Sequence, residues 1–398
     1  MGDWKECKLG EVAKIVGGGT PKTKESEYWN GEIAWLTPRD LSNFNGRYIS
    51  KGERNISKLG LAKSSAKILP KGAVLLSSRA PVGYLAIAKN EVSTNQGFRN
   101  LISNPETNNL FLFYLLKNNV EYLKSQSTGT TFGELAGSTL KSLSFYFPPL
   151  TEQKAIASLL SSLDDKIDLL HHQNKTLEAM AETLFRQRFV EEAQEDWEEN
   201  SLLEIIQLIG GGTPKTAISE YWNGDIPWLA GGDIASNHKS FINYSVKSIT
   251  EVGLNNSSAK LLPKYATVIS ARGTVGKYCL LAQSMAFSQS NYGILPNPKI
   301  SECFFFTYLL VNHVVEELQS SAYGSVFDTI TTTTFKEIKV ILPTETEILR
   351  FEQSVSLYFK KMFLNKSQIR TLEKLRDALL PKLMSREIWV QYDKEATI

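Results

Sequence analysis

The chain is written twice. Residues 17–36 read GGGTPKTKESEYWNGEIAWL and residues 210–229 read GGGTPKTAISEYWNGDIPWL, so that only Lys24, Glu25, Glu32 and Ala34 change between the copies. The same displacement pairs Trp4 with Trp197, Val12 with Ile205 and Arg79 with Arg272. It also pairs Lys67-Ile68-Leu69-Pro70-Lys71 with Lys260-Leu261-Leu262-Pro263-Lys264. With two small insertions it continues to Pro148 against Pro343 and to Leu177-Glu178 against Leu372-Glu373. A period of about 190 residues is far longer than a solenoid repeat of roughly 20–50 residues, so this is a duplicated domain.

Each copy has the same internal order. First comes a mixed globular head, with short strand-like runs such as Ala73-Val74-Leu75-Leu76-Ser77 and Thr267-Val268-Ile269-Ser270 set between Gly, Pro and Asn. Each head also carries one apolar helical stretch, near Asn109–Leu123 and Glu302–Leu318. A long helical segment follows. Pro148-Pro149 ends the preceding strand and Thr151-Glu152 opens the first helix. Its apolar positions alternate in steps of four and three: Ile156, Leu160, Leu163, Ile167, Leu170, Asn174, Leu177, Ala181, Leu184. The second copy repeats the seam as Phe351, Val355, Tyr358, Met362, Asn365, Ile369, Leu372, Arg376, Leu379, with Pro381 expected to interrupt that helix near its end.

A helix of about 35–40 residues is about 55 Å long and, with one apolar stripe, is not stable alone in water. The economical partner is the other copy, packed antiparallel, which puts a head at each end of a rod. Asn174 and Asn365 lie on the seam, where a hydrogen bond would fix its register; a solvated edge is the alternative. The expected class is α+β: two mixed heads separated by two long helices in an antiparallel coiled coil, with an internal pseudo-two-fold repeat. The expected boundaries are 1–150, 151–192, 193–343, 344–386 and a tail at 387–398.

Charge is segregated. Residues 1–150 carry 19 Lys and Arg against 12 Asp and Glu, whereas residues 151–200 carry 5 against 12. A basic head followed by an acidic helix implies different partners for the two parts. Cys7, Cys279 and Cys303 are far apart and form no C-x-x-C pair, as expected of a reduced cytoplasmic protein without a structural zinc. No apolar run approaches the length of a membrane span; Leu110–Leu116 is the longest.

No catalytic pattern appears. Gly17-Gly18-Gly19 lacks the Lys-Ser/Thr of a phosphate-cradling loop, and no G-x-G-x-x-G opens a dinucleotide site. Asn104-Pro105 and Asn297-Pro298 lack the aromatic with which base-modifying enzymes stack a flipped base. His171, His172, His238 and His313 show no metal-ligand spacing. The pairs Asp164-Asp165 and Glu191-Glu192 read as solvated faces.

Two similar heads on a spacer suit duplex DNA, whose helical turn of about 34 Å is commensurate with such a strut. Each head has side chains that pair with phosphates or base edges in its expected loops. In the first these are Lys22, Arg39, Asp40, Asn43, Arg47, Arg79, Gln96 and Arg99; in the second, Lys215, Asp233, Asn237, His238, Lys239, Arg272, Gln289 and Asn291. Positions shared by both copies, including Thr20, Pro21, Trp29, Trp35 and the Arg79/Arg272 pair, are expected to build scaffold or hold phosphate. Positions that differ, concentrated in 42–57 against 235–250 and in 93–100 against 286–293, are the candidate base readers. The helix-pairing candidates are Ile156, Leu160, Leu163, Ile167, Asn174 and Leu177 with Phe351, Val355, Met362, Asn365, Ile369 and Leu372.

These residues resemble the specificity subunits of type I restriction-modification systems. The resemblance rests on Trp4…Leu9-Gly10…Val12 followed by Gly-Gly-Thr-Pro, on the Leu-Pro turn before a strand ending in Ser-x-Arg, on Asn95-Gln96-Gly97-Phe98, and on Pro148-Pro149-Leu150-x-Glu152-Gln153 entering a long helix. It covers the whole chain, although the second copy has Ser288-Gln289-Ser290-Asn291 and Pro343-Thr344-Glu345 at the corresponding places. The resemblance implies a non-catalytic subunit whose target recognition domains each read one half of a split site in double-stranded DNA. It implies that the helices measure the gap and dock two methyltransferase (M) subunits, with restriction/translocase (R) subunits joining. It implies no cofactor on this chain, S-adenosylmethionine, ATP and Mg2+ being held by the partner subunits. The rival readings are a single-chain enzyme with its own methyltransferase or nuclease site, and a scaffold that binds no DNA.

Overall fold

A computed structural model describes residues 4–42, 44, 46–127, 133–195, 197–323 and 329–391. The chain divides into two compact units, residues 1–169 with 369–398, and residues 170–368. The two expected long helices run Leu150–Arg186 and Glu345–Met384, and each contributes to both units.

In the first unit a five-stranded sheet is ordered Ala13–Gly17, Arg99–Ser103, Val74–Ser78, Val82–Ala88, Tyr48–Ile49. Val74–Ser78 is buried along its whole length, as a strand covered on both faces must be. One cover is the helix Asn109–Asn118, whose Asn108 side chain accepts from the Phe111 amide at 2.9 Å. Phe111 through Leu116 are all buried, because this helix lies between the sheet and the long helices. A smaller sheet, Arg54–Ile56, Trp29–Leu36, Ser93–Thr94, carries the loops.

The second unit repeats this plan. Its five-stranded sheet runs Ile206–Gly210, Asn291–Pro296, Thr267–Ser270, Tyr278–Leu281, Phe241–Ile242. Its smaller sheet is Lys247–Ile249, Trp222–Leu229, Met285–Phe287, Leu261–Leu262. The covering helix, Phe304–Tyr323, is one uninterrupted element, where the first unit breaks the corresponding stretch at Asn119.

Within each unit the helical segments run antiparallel. In the first, Ile156 and Leu160 share a core with Leu380 and Leu383. In the second, Ala181, Phe185 and Phe189 share one with Phe351, Val355, Phe359 and Met362, and Leu177 packs against it. Asn365 is buried on this seam and donates to the Asn174 side-chain oxygen at 2.8 Å. Ile167 and Ile369 are buried; Leu163 and Leu372 are half-buried.

Two details depart from expectation. Near the heads the seam shifts by one residue, so that Phe185, Phe359 and Leu380 are buried where Leu184, Tyr358 and Leu379 were expected. A straight helix drifts relative to a strict seven-residue repeat, and each end must also face a head. The second helix continues through Pro381 rather than stopping there, and ends at Met384 within a turn. So late in a helix, the missing N–H costs one hydrogen bond and no further turns depend on it.

Candidate functional site

In each unit the loop GGGTPKT is stitched down by tryptophan. The Trp35 indole donates to the Gly19 carbonyl at 2.9 Å and that of Trp29 to the Lys22 carbonyl at 3.2 Å. In the second unit Trp228 holds Gly212 at 2.9 Å and Trp222 holds Lys215 at 3.2 Å. The paired indoles meet edge to face in both. A Cβ on Gly18 would lie 2.4 Å from the Thr94 carbonyl oxygen, and one on Gly212 2.3 Å from the Ser258 carbonyl carbon. Gly18 and Gly212 are therefore required by close backbone approach. Thr20 hydrogen-bonds the exposed Gln96, and Thr213 bonds the exposed Gln289, which ties the loop to a second one on the same edge.

Around this brace the first unit brings several candidates together. Lys22 and Arg39 are exposed, Arg39 on the short helix Pro38–Ser42. Arg99 donates to the carbonyls of Gln96 and Phe98 and pairs with Glu134 at 2.8 Å; Arg79 approaches the same carboxylate at 3.6 Å. Glu134 thus joins two arginines that are 20 positions apart in the chain, an organising role that no local pattern announces. Asn43 lies outside the described residues.

Arg47 is elsewhere. It is 6% exposed and turned inward onto the first long helix, where it bonds Asp165, the Tyr114 hydroxyl at 3.0 Å and the Ser161 carbonyl at 3.3 Å. Asp164 completes this cluster. It accepts from the Tyr114 hydroxyl at 2.5 Å and pairs with Arg376 at 2.8 Å. Arg47 therefore anchors the variable segment 42–57 to the helices and does not face solvent. Asp164 likewise departs from the solvated reading: it is 7% exposed and neutralised by two guanidinium groups, as a buried charge requires.

In the second unit Lys215 and Arg272 are exposed. Asn237 is half-buried and donates to the Asp233 carbonyl at 3.0 Å. His238 is half-buried edge-on to Tyr278, and burial lowers its pKa. Lys239 reaches Glu182 of the long helix at 3.2 Å, a weaker counterpart of the Arg47 anchor. Asn291 departs from the DNA-facing expectation: it is 1% exposed and donates to the Ser288 hydroxyl at 2.8 Å inside the sheet. The helix side of this anchor is acidic. Glu178 accepts from the Tyr308 hydroxyl at 2.9 Å, and burial carries its carboxyl up to about 7.

Both units thus present the same arrangement. A tryptophan-braced loop and a glutamine loop offer cationic and amide side chains beside a stretch whose sequence differs between copies, and in the first unit the short helix adds Arg39. The chemistry these described side chains offer is hydrogen bonding and charge.

The family described as the type I restriction modification DNA specificity domain matches residues 1–179 and again 194–374. The specificity subunit of the type I restriction enzyme MjaIX of Methanocaldococcus jannaschii is 34% identical over 98% of this chain and 94% of its own length. That of HindI from Haemophilus influenzae is 24% identical, over 98% of this chain and all of its own. In fold, the chain resembles the crystal structure of a type I restriction-modification S subunit from M. genitalium, with a TM-score of 0.62 at 18% identity, covering 98% of this chain and 97% of that one.

Proposed function

From the premise that this chain belongs to the type I restriction-modification DNA specificity family, we propose that it reads a split sequence in double-stranded DNA, one half-site per head. It is a specificity subunit and supplies recognition rather than catalysis. The observation that carries the reading is the repeated, tryptophan-braced rim: two copies of one polar loop scaffold, each flanked by a stretch of different sequence. One scaffold with two contents suits two related targets better than a single active site would.

The exposed Lys22, Arg39, Lys215 and Arg272 are suited to phosphate or guanine, and Gln96 and Gln289 to adenine edges. The long helices set the spacing between half-sites and dock two methyltransferase subunits. Their outward faces carry exposed Leu169, Met180, Leu357, Leu364 and Leu375, which offer apolar surface to such partners. Restriction/translocase subunits join the same assembly, and S-adenosylmethionine, ATP and Mg2+ are held by the partners. No helix among the described residues is long and apolar enough to cross a membrane; the assembly works in the cytoplasm, where its DNA is.

The test is co-expression with the neighbouring methyltransferase gene and mapping of methylated bases. The expected result is one bipartite consensus with an unspecified gap. Methyl transfer by the isolated chain would favour the single-chain enzyme, and absence of DNA binding with the partners added would favour a scaffold.

A further inference from the structure

Candidate base-facing positions lie in the variable stretches 42–57 and 235–250. Two aspartates narrow the choice. In the first unit Asp40 sits in the short helix Pro38–Ser42. One carboxylate oxygen accepts from the Thr37 amide at 2.6 Å and hydroxyl at 2.7 Å; the other accepts from the Glu53 amide at 2.7 Å. In the second unit Asp233 occupies the corresponding place in Gly231–Ser236. One oxygen accepts from the Ala230 amide at 2.9 Å and the other from the Val246 amide at 3.1 Å. The same carboxylate therefore pins the same point of the connector between Tyr48–Ile49 and Arg54–Ile56, and between Phe241–Ile242 and Lys247–Ile249.

What that pinned point presents is opposite in the two units. Glu53 is exposed and bears two acceptor oxygens; Val246 is 87% exposed and has only methyl groups. Both stand beside the tryptophan brace. The next residue, Arg54, lies 3.6 Å over the Trp29 ring, and Lys247 lies 5.7 Å from that of Trp222. A single exposed valine is ordinary on a surface. A held backbone position that carries an acceptor in one copy and a β-branched hydrocarbon in the other suits direct readout of two different base edges: the pinned backbone limits where either side chain can reach, and Val246 is stiff at χ1 as well.

We infer that Glu53 and Val246 are equivalent specificity-determining residues: Glu53 accepts from a cytosine 4-amino group in one half-site, and Val246 packs on a thymine methyl in the other. Asp40 and Asp233 are positioning residues for them. The inference rests on the DNA-reading function proposed above.

The test uses the chain assembled with its methyltransferase subunits. The wild-type consensus is mapped first, and absence of any split site would sink the proposed function itself. Given a site, Val246→Glu is expected to change one position of a single half-site away from thymine, and Glu53→Val to change one position of the other half-site away from cytosine. Glu53→Gln, which keeps an acceptor, is expected to retain the wild-type half-site. A second arm needs no variant to fold. Duplexes with uracil in place of thymine, one position at a time, should bind the wild-type assembly about fourfold more weakly at one position of one half-site, the loss expected for one methyl contact. Unchanged consensus sequences in folded variants, or no uracil-sensitive position, would overturn the assignment while leaving the general function intact.

Discussion

Replacing Asp164 by asparagine tests how the first head is held. Its carboxylate is shared by Tyr114 at 2.5 Å, Arg376 at 2.8 Å and Arg47 at 3.7 Å, and the three ionic side chains are 10%, 16% and 4% exposed. Removing one partner from a buried ion pair costs about 3–5 kcal/mol, because the remaining charge is left desolvated. Here each arginine keeps a second carboxylate, Asp165 for Arg47 and Asp377 for Arg376, both more than half exposed. The expected loss is therefore at the lower end, about 3 kcal/mol. Asp165→Asn, at an exposed carboxylate, should cost less than about 1 kcal/mol. Urea denaturation of the chain measures both, with hydrogen exchange of Asn109–Asn118 assigning the loss to the first unit. A cycle with Arg376→Ala should give a coupling of more than about 1 kcal/mol between Asp164 and Arg376. Equal effects of the two aspartates, or a coupling of zero, would refute the view that the cluster bears on folding.

The other predictions concern single features. Gly18→Ala should lower the melting temperature by several degrees, corresponding to about 2 kcal/mol of overpacking, whereas Gly210→Ala, with nothing within 4 Å of the new methyl group, should not. Asn365→Ala should cost about 1–2 kcal/mol by removing the bond to Asn174, while replacing both asparagines by leucine should raise stability and loosen register, seen as mixed disulfide-trapping patterns along the seam. Glu178 titrates near 7 in the folded unit, against about 4.3 when unfolded, because burial outweighs the Tyr308 hydrogen bond. The fold thus favours its protonated form, a contribution complete below about pH 4 and lost as pH rises to about 7. Glu352 of the same unit is likewise carried up to about 7 by burial, while burial of His238 and His313 acts in the opposite sense; Glu178→Gln should therefore remove only Glu178's share of the decline between about pH 5 and 7.5 in pH-resolved denaturation, and an unchanged slope would assign the decline to the other groups.

Much of this fold was legible because duplication and periodicity are local signals. The repeat of Trp4, Gly17–Leu36 and Arg79 announced two equivalent heads, and the four-three spacing from Ile156 onward announced the helices. What stayed hidden depends on partners distant in sequence. Arg47 looked like a surface cation because nothing near it shows that Asp165 will lie against it. Asp164 looked solvated because a heptad pattern reports apolar positions and is blind to a buried charge neutralised by Arg376. Asn291 reads as a loop amide but enters a strand, where its amide nitrogen donates to Ser288. The Asp40 and Asp233 pins share a spacing of thirteen residues to Glu53 and Val246 in both copies, a regularity visible in the repeat but without meaning until the amides were seen to meet them.

The clamp at Asp164 also bears on how such chains diversify. A head cut at residue 150 leaves Asp164 and Asp165 behind in the strut. A newcomer carrying serine where Arg47 stands, as Ser240 does in the second copy, would leave Asp164 with one of its two guanidinium partners, Arg376. A head exchanged together with the helix through Asp165 keeps the position-47 side chain matched to both carboxylates. The unit that holds its own loops is therefore longer than the globular head and includes the first turns of the helix, through Asp165.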